Sequence, residues 1–230
     1  MGLECATCPV RDQAACAVLS EQERADLATA GRTRTLSRGE VLFAAGDDAD
    51  ACATLLTGAL KVSSTDITGE ERILALIHPA GFVGEMFRPF ADHDVTALTD
   101  CRLCIFSRSA MEAALDQHPA LARALLRRSQ DELHSARALL ELTGKQDAET
   151  RIAGLLLSLA QAASHSPCHP AQAFDLPLTR GEMAQMLGLT IETVSRRLTR
   201  LEKDGVITKN GKRGIELVDP ARLSSLAGSL

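Results

Sequence analysis

Residues 177–219 read PLTRGEMAQMLGLTIETVSRRLTRLEKDGVITKNGKRGIELVD, and this stretch decides the fold. Thr179 followed by Glu182 has the spacing of a capping box, so we expect a helix to begin directly after Thr179. Gly188 permits a sharp turn after that helix, and Thr190 can cap a second one. Two helices joined by a glycine-containing turn predict a helix-turn-helix.

The second predicted helix has two different faces. Ile191, Val194 and Leu198 recur at a helical spacing, so we expect them to face the protein interior. The opposite face carries charged and hydroxyl side chains, which suits a helix whose N-terminal end enters the major groove of DNA. The residues that we expect to contact DNA, from both helices and their caps, are Thr179, Arg180, Thr190, Glu192, Thr193, Ser195, Arg196 and Arg197.

After these helices, VITKNGKRGIEL alternates around Asn210 and Gly211, which predicts a β-hairpin and therefore a winged helix-turn-helix. From Leu178 to Arg213 there are eight basic and four acidic residues, so this stretch carries +4 (8 minus 4) within a chain of net charge -5. A local basic patch attracts a polyanion regardless of the total charge. The sequence contains no Trp or Tyr, so a stacking platform for single strands is not expected.

Residues 31–108 have a different pattern, because short apolar runs alternate with glycine-containing turns. The segments TLLTGALKVSST and RILALIHPAGFVGEMF follow one another closely, which is typical of an antiparallel barrel or roll. The sequence has no alternation of strands with helices, no phosphate-binding glycine fingerprint and no nucleophile elbow. We therefore do not expect an enzyme.

Residues 120–143 predict one long helix, since they contain no Gly or Pro. Leucines recur there every seven residues with small residues in the second heptad slot, which is typical of a two-stranded dimer helix. An ordinary amphipathic helix packed on its own roll is the alternative. The expected dimer seam consists of Leu126, Ser129, Leu133, Ala136 and Leu140.

Three of the seven cysteines, Cys5, Cys8 and Cys16, lie in the first twenty residues. The sequence shows no membrane span and no secretory signal, which predicts a cytoplasmic protein with reduced thiols. The odd number of cysteines also disfavours a disulfide framework. Clustered thiols suit either zinc or an iron–sulfur cluster, and both need a fourth ligand. We expect Cys52 and Cys168 to be incidental.

Two further cysteines lie on the predicted strand TDCRLCIFSR. Alternation places Cys101 on the same face as Leu103, and Cys104 on the same face as Arg102. The first face is apolar, so we expect Cys101 to be buried in the core. Cys104 can instead reach the N-terminal segment, which makes it the preferred fourth ligand and Cys101 the alternative.

Taken together, a roll, a long helix and a winged helix-turn-helix in this order resemble the Crp/Fnr transcription regulators over essentially the whole chain. TIETVSRRL is similar to the recognition helix of the FNR branch, with its Glu-x-x-Ser-Arg pattern at Glu192, Ser195 and Arg196. The start CATCPVR, with a seven-residue gap before the third cysteine, is similar to FnrL- and FnrN-type members. The resemblance implies that these three residues read each half of a palindrome like TTGAT-N4-ATCAA.

The resemblance further implies an oxygen-labile [4Fe-4S] cluster held by Cys5, Cys8, Cys16 and Cys104. It implies a homodimer that mainly activates transcription, and at some promoters represses it. Oxygen would convert the cluster, weaken the dimer and release DNA. Contacts with RNA polymerase are expected from the loops STDITGEER or RPFADHD. A Crp/Fnr-type regulator with a zinc or thiol redox switch is the alternative.

Two positions depart from the family pattern. The enteric FNR has an aspartate on its dimer helix that disfavours the clusterless dimer, whereas the matching residue here is Ala136. We therefore expect the dimer to persist after cluster loss. A Crp-type nucleotide pocket pairs Gly-Glu with a later arginine; Gly84 and Glu85 are present, but ADHDVTA offers two acids and no arginine, so no cyclic nucleotide is expected.

The expected fold class is α+β, with a cupin-like antiparallel β-roll followed by the long helix and the winged helix-turn-helix. TGKQDAET predicts a hinge, AETRIAGLLLSLAQAA a helix, and SHSPCHPAQAF a loop. The expected organisation is a cysteine-rich segment at 1–20, a β-roll sensor domain at 21–118, a dimerisation helix at 119–143 and a DNA-binding domain at 144–230.

Overall fold

The computed structural model describes residues 3–164 and 169–228, and Cys168 lies outside them. The chain divides into two compact units, Met1–Ala136 and Arg137–Leu230. The predicted α+β architecture of antiparallel sheets, long helix and helix-turn-helix is confirmed. The division between the units lies within the long helix, whereas the sequence predicted boundaries at its two ends.

The first unit begins with two short 3-10 turns, Cys5–Thr7 and Ala15–Val18, followed by helix α1, Glu21–Ala30. Helix α1 was not among the predicted elements. Its cap is a capping box, because the Ser20 hydroxyl accepts from the Glu23 N–H and the Glu23 carboxylate accepts from the Ser20 N–H. This is the same local signal that predicted the helix after Thr179.

Two four-stranded antiparallel sheets form the predicted roll. The strands are β1 Gly31–Leu36, β2 Val41–Phe43, β3 Ala51–Thr57, β4 Leu60–Thr65, β5 Glu71–Ile77, β6 Phe82–Val83, β7 Asp94–Ala97 and β8 Cys101–Ser107. One sheet has the order β1-β8-β3-β6 and the other β2-β7-β4-β5. Their facing sides enclose the main core, in which Leu55, Leu60 and Leu103 are fully buried.

The turn between β3 and β4 shows why the roll needs glycine. Gly58 has a φ of +93°, and a Cβ built on it would lie 2.5 Å from the Asp100 carbonyl oxygen. Both the left-handed backbone and the close approach of a second chain segment therefore exclude a side chain there.

Two helices follow the roll, α2 at Arg108–Gln117 and α3 at Pro119–Gly144, and α3 confirms the predicted long helix. Leu121 of α3 is buried in the first unit. The seam leucines Leu126, Leu133 and Leu140 are exposed by 63%, 49% and 73% in the single chain. Such a stripe of exposed leucines leaves apolar area available for a partner surface.

The second unit holds the end of α3 and the winged helix-turn-helix. Its remaining elements are α4 Ala148–Ala162, β9 Ala173–Asp175, α5 Arg180–Leu187, α6 Ile191–Lys203, β10 Ile207–Asn210, β11 Gly214–Leu217 and α7 Pro220–Leu226. Strands β10 and β11 confirm the predicted hairpin. The predicted loop SHSPCHPAQAF is wrong at its end, because Ala173 and Phe174 belong to β9, which pairs with β11.

Within residues 3–164 and 169–228, no helix is both long enough and apolar enough to cross a lipid bilayer.

Candidate functional site

The predicted caps of the helix-turn-helix are confirmed. The Thr179 hydroxyl accepts from the Glu182 N–H at 3.2 Å, and the Glu182 carboxylate accepts from the Thr179 N–H at 2.6 Å. Gly188 follows α5 in the left-handed region, with φ +62°. The Thr190 hydroxyl then accepts from the Thr193 N–H at 3.2 Å and starts α6. Local capping chemistry therefore fixes both ends of the turn.

The inward face of α6 consists of Val194, Leu198 and Leu201, all of which are buried. The expectation that Ile191 faces inward is wrong, since 52% of it is exposed. It lies at the first position of the helix, beside Gly181, where a Cβ would stand 3.7 Å from the Ile191 Cδ1. The core of this unit therefore begins one turn later than the apolar pattern predicts.

The outward face of α6 brings together most of the predicted DNA-contacting residues. Arg180, at the start of α5, donates from Nη1 to the Ser195 hydroxyl at 3.2 Å. The pKa of Glu192 is lowered, because its own backbone N–H and the Thr190 side chain stabilise the carboxylate. Arg196 is exposed and, in the part of the chain that the structure describes, makes no hydrogen bond or ion pair. This face presents an anion and a cation side by side.

Arg197 differs from the other predicted DNA-contacting residues. Its Nη1 donates to the Glu149 Oε2 at 3.4 Å, and its Nη2 lies 3.9 Å from an Asp147 carboxylate oxygen. Its side chain is only 26% exposed, and its Nε is buried with no hydrogen-bond partner among the described residues. Arg197 therefore braces α6 against the first turn of α4.

The second candidate site lies in the first unit, where the structure brings together the four predicted metal ligands. Cys5, Cys8, Cys16 and Cys104 all line one cavity of about 40 Å³. All four are free thiols and partly buried. The same cavity is walled by Phe106 of β8 and by Leu121 and Leu125 of α3.

The predicted alternation of β8 is confirmed and explains which cysteine faces this cavity. Cys101 lies in the main core, and its thiol donates to the carbonyl oxygens of Ala59 at 3.3 Å and Thr99 at 3.2 Å. Cys104 lies on the other face, against the N-terminal segment. Cys52 is also fully buried, and it packs behind the cavity in a cluster with Phe106 and Leu121 without lining the cavity itself.

The four thiols influence one another electrostatically. Burial, and then the neighbouring Cys8, Cys5 and Cys16, raise the pKa of Cys104 to about 12. The pKa of Cys16 is raised by burial and by Cys8 and Cys5. The pKa of Cys5 is raised by burial and by Cys8. Since burial and like charges oppose ionisation, Cys5, Cys16 and Cys104 favour the thiol form until a cation compensates the charge of the thiolates.

The donor set fits a metal group, because thiolates are the ligands of iron–sulfur clusters and of structural zinc. The distances between the side chains do not fit a bound metal ion. Across residues 3–164 and 169–228, no group of three or more His, Cys, Asp or Glu stands close enough to hold one. Ligation would therefore require the four thiols to lie closer together than they do here.

Two contacts that hold this segment have no signal in the sequence. The buried Arg24 donates to the carbonyl oxygens of Leu19 at 2.9 Å, Cys16 at 3.3 Å and Ala17 at 3.4 Å. Closer to the N-terminus, Arg11 forms an ion pair with Glu21 at 2.8 Å. Arginines of a surface helix usually reach solvent, so only the folded backbone reveals that Arg24 points inward.

The segment also has apolar anchors that its sequence did not suggest. Val10 and Ala14 pack against Leu56 of β3 and Ala80, in a cluster that Cys8, Cys16 and Cys104 flank. The segment thus belongs to the packing of the roll, although it contains no core of its own.

A larger cavity of about 430 Å³ lies beside Gly84 and Glu85 in the first unit. Glu85 accepts from the Asp92 N–H at 3.1 Å and lies 3.4 Å from the His93 Nδ1. Among the described residues, the lining of this cavity has no Lys or Arg. The carboxylates that line it belong to Asp47, Asp48, Glu85 and Glu132. Such a lining would repel a phosphate.

Comparisons with known proteins agree with this architecture. A protein-family model described as a Crp-like helix-turn-helix domain matches residues 150–226, and one described as a cyclic nucleotide-binding domain matches residues 33–118. The chain is 38% identical over 227 residues to transcriptional activator protein FnrL of Cereibacter sphaeroides, covering 97% of this chain and 92% of that protein. The chain belongs to the Crp/Fnr family. It therefore carries a DNA-binding domain of transcription regulators.

Two further relatives match most of the chain. The anaerobic regulatory protein of Pasteurella multocida is 30% identical over 234 residues, which cover 99% of this chain and 84% of that protein. The structure of FixK2 from Bradyrhizobium japonicum has a TM-score of 0.78 and 26% identity, covering 87% of this chain and 98% of that one.

The contacts of Arg24 predict how the N-terminal segment responds to mutation. Arg24→Ala removes three hydrogen bonds from a charged donor, so we expect the free energy of unfolding in urea to fall by about 2 kcal/mol. We also expect Cys5, Cys8 and Cys16 of the metal-free protein to react faster with a disulfide reagent, while Cys101 stays protected. Arg34→Ala, on an exposed position of β1, is the control. Unchanged labelling rates in Arg24→Ala would contradict this role.

Proposed function

We propose that this Crp/Fnr protein is an oxygen-responsive transcription regulator, mainly an activator, that works in the cytoplasm as a homodimer. The observation that carries the proposal is the convergence of Cys5, Cys8, Cys16 and Cys104 on one cavity that α3 helps to wall. The names of two relatives support it, since one is a transcriptional activator and the other an anaerobic regulatory protein.

The four cysteines are proposed to hold a [4Fe-4S] cluster, which when bound supplies iron that reacts with oxygen. Cys104 is fixed on a central strand, whereas the other three thiols lie on a segment held by Arg24 and a few apolar contacts. Retention of the metal therefore ties the segment to the roll, and loss of ligation leaves it with the weaker contacts alone. Free thiols left behind can then be oxidised.

The proposed dimer follows from the two faces of α3. Leu121 and Leu125 line the cysteine cavity, while Leu126, one residue later, points away and is exposed. Pairing two copies would bury Leu126, Leu133 and Leu140, and each fully buried leucine contributes about 1.5–3 kcal/mol. Ser129 and Ala136 are small enough to let the two helices approach. A change in the packing around the cysteines can thus bias a marginal dimer.

The proposed DNA target is a palindrome similar to TTGAT-N4-ATCAA. Arg196 offers the guanidinium fork that suits guanine O6 and N7, and Glu192 can accept from a cytosine amine. Ser195 lies between them and is held by Arg180. Thr179, Thr190 and Thr193 lie at the helix N-termini, where hydroxyls suit phosphate contacts. Arg197 is proposed to support this surface through Glu149 and to reach DNA only if that pair opens.

RNA polymerase is the proposed protein partner. In the loop STDITGEER, Ile67 is fully exposed, and Phe87 and Phe90 are exposed beside and within RPFADHD. Exposed large apolar side chains on two loops of one domain are typical of protein contact sites.

The acidic cavity beside Glu85 is proposed not to take a cyclic nucleotide, because its carboxylates oppose the phosphate.

A zinc or thiol redox switch is the second candidate function. The same four cysteines would serve it, because thiolates are also the ligands of structural zinc. The two candidates differ in colour and composition, because zinc is colourless and brings no sulfide.

The cluster proposal predicts the effect of replacing the strand cysteine. Wild-type protein purified without oxygen should be brown, with broad absorption at about 400 nm. It should contain about four iron and four sulfide ions per chain. Cys104→Ser should lose the colour and most of the iron, because one thiolate corner is missing. Cys101→Ser is the matched control on the same strand and should keep both. Stoichiometric zinc without iron or sulfide in the wild type would instead establish the alternative.

The DNA-reading proposal predicts a loss of specificity in Arg196→Ala. Each bidentate arginine–guanine pair contributes about 1–3 kcal/mol, so we expect tenfold or greater weakening for each half-site. Lys203→Ala, at the far end of α6, should bind the palindrome with almost unchanged sequence preference. The assignment would be wrong if Arg196→Ala still protected the palindrome in a footprint with wild-type preference.

The dimer proposal predicts how an aspartate at either of two seam positions changes the oligomeric state. Leu133→Asp should give monomers even with the cluster, because it places two carboxylates at the apolar seam. Air-exposed wild type should remain a dimer in sedimentation, since Ala136 contributes no repulsion, whereas air-exposed Ala136→Asp should dissociate. A wild-type monomer at micromolar concentration after air exposure would refute the inference from Ala136.

A further inference from the structure

We propose that Arg151 sets the spacing between the two DNA half-sites that the dimer accepts, an inference that rests on the proposed palindromic target. Arg151 lies in α4 and touches no predicted DNA contact. Its Nε donates to the Lys145 carbonyl oxygen at 2.6 Å. Its Nη1 donates to the carbonyl oxygens of Leu187 at 3.0 Å and Gly188 at 3.5 Å.

These three carbonyls belong to two different parts of the second unit. Lys145 lies in the connector that directly follows α3, while Leu187 and Gly188 form the end of α5 and the turn before α6. Carbonyls at a helix C-terminus lack an intrahelical donor and carry partial negative charge, so a guanidinium is well suited to them. The planar guanidinium has donors on separate nitrogens, so Nε reaches the connector while Nη1 reaches the turn.

A second contact fixes the end of α3 on α4. Leu142, in the last turn of α3, lies where the side chain of residue 154 would be, because a Cβ on Gly154 would stand 2.5 Å from the Leu142 Cδ1. Leu140 of the dimer seam lies only two residues before Leu142. The seam and helix α4 are thus joined by close packing inside the second unit.

A third contact joins α4 to the recognition helix itself. Arg197 of α6 is paired with Glu149 in the first turn of α4 at 3.4 Å. Helix α4 therefore holds the end of α3, the turn of the helix-turn-helix and α6. It acts as an adaptor between the dimer seam and the DNA-reading helix, and Arg151 is the only one of its described residues that bonds to both the connector and the turn.

This arrangement determines which operators fit. In a twofold dimer, the distance between the two recognition helices depends on where each α6 lies relative to the seam. Such dimers bind half-sites about one helical turn apart, and one added base pair shifts them by about 3.4 Å and rotates one around the duplex. If α6 is held rigidly, the dimer binds poorly to an operator with the wrong spacer length. If α6 is held loosely, the dimer tolerates that operator. Arg151 is therefore a specificity-determining residue that acts through the position of α6.

The experiment compares operators that differ only in the spacer. Anaerobically purified wild type and Arg151→Gln are titrated by fluorescence anisotropy with N3, N4 and N5 palindromes and with a single half-site. For Arg151→Gln we expect about tenfold weaker binding to N4, unchanged binding to the half-site and a fall in the N4-over-N5 preference of tenfold or more. Arg151→Lys should lie between the two proteins.

Arg222→Gln is the matched control, because Arg222 also donates to a backbone carbonyl of this unit, that of Asp204 at 3.1 Å, but does not touch the connector after α3. It should keep the wild-type spacer preference. Leu142→Ala tests the same link by a second route and should relax the preference even if Arg151→Gln fails to fold.

The outcomes separate this inference from the function on which it rests. If wild type prefers N4 and both Arg151→Gln and Leu142→Ala keep that preference, the inference is overturned and the palindrome stands. If half-site binding falls as much as palindrome binding, Arg151 only supports the local structure, and the inference is again overturned. A wild type without any spacer preference would refute the proposed palindrome, and this inference with it.

Discussion

The packing of the N-terminal segment on the outer face of β8 is the interaction on which the proposed function depends. Four thiols line one cavity there, and burial together with the neighbouring thiols raises the pKa of Cys5, Cys16 and Cys104. Ionisation of these three thiols therefore needs a compensating cation. What holds the segment otherwise is modest: the carbonyl contacts of Arg24 and a small apolar cluster. A contact that is strong only with a metal is suited to report the metal's presence.

Helix α3 connects this site to the rest of the chain, because its two faces have different surroundings. Leu121 and Leu125 belong to the wall of the cysteine cavity, whereas Leu126, Leu133 and Leu140 do not line it and are exposed. The helix then continues as one element into the second unit, where Leu142 packs on α4. The predicted dimer seam and the contact of Leu142 with α4 thus belong to the same 26-residue helix.

The sequence was sufficient where the determining interaction is local. Caps lie three residues from their partners, a left-handed glycine marks its own turn, and strand alternation separated Cys104 from Cys101. It was insufficient where the partner is distant along the chain. Arg197 pairs with Glu149, 48 residues earlier, and Arg151 reaches Leu187, 36 residues later. Ile191 fits the helical period of α6 but lies outside the buried core of the second unit. Periodicity shows which residues share a helix face, but not where along the helix the core begins.

The charges of the recognition surface explain why DNA binding should depend on the dimer. Glu149 compensates Arg197, and the hydrogen bonds that lower the pKa of Glu192 keep a carboxylate on the DNA-facing side. Both reduce the attraction to phosphates that supplies most non-specific affinity. The net charge of +4 between Leu178 and Arg213 is thereby partly offset at the recognition helix, so one half-site offers base reading with reduced electrostatic support. Two recognition helices at a fixed spacing restore the affinity, so the geometry of the dimer, and not only its formation, controls DNA binding.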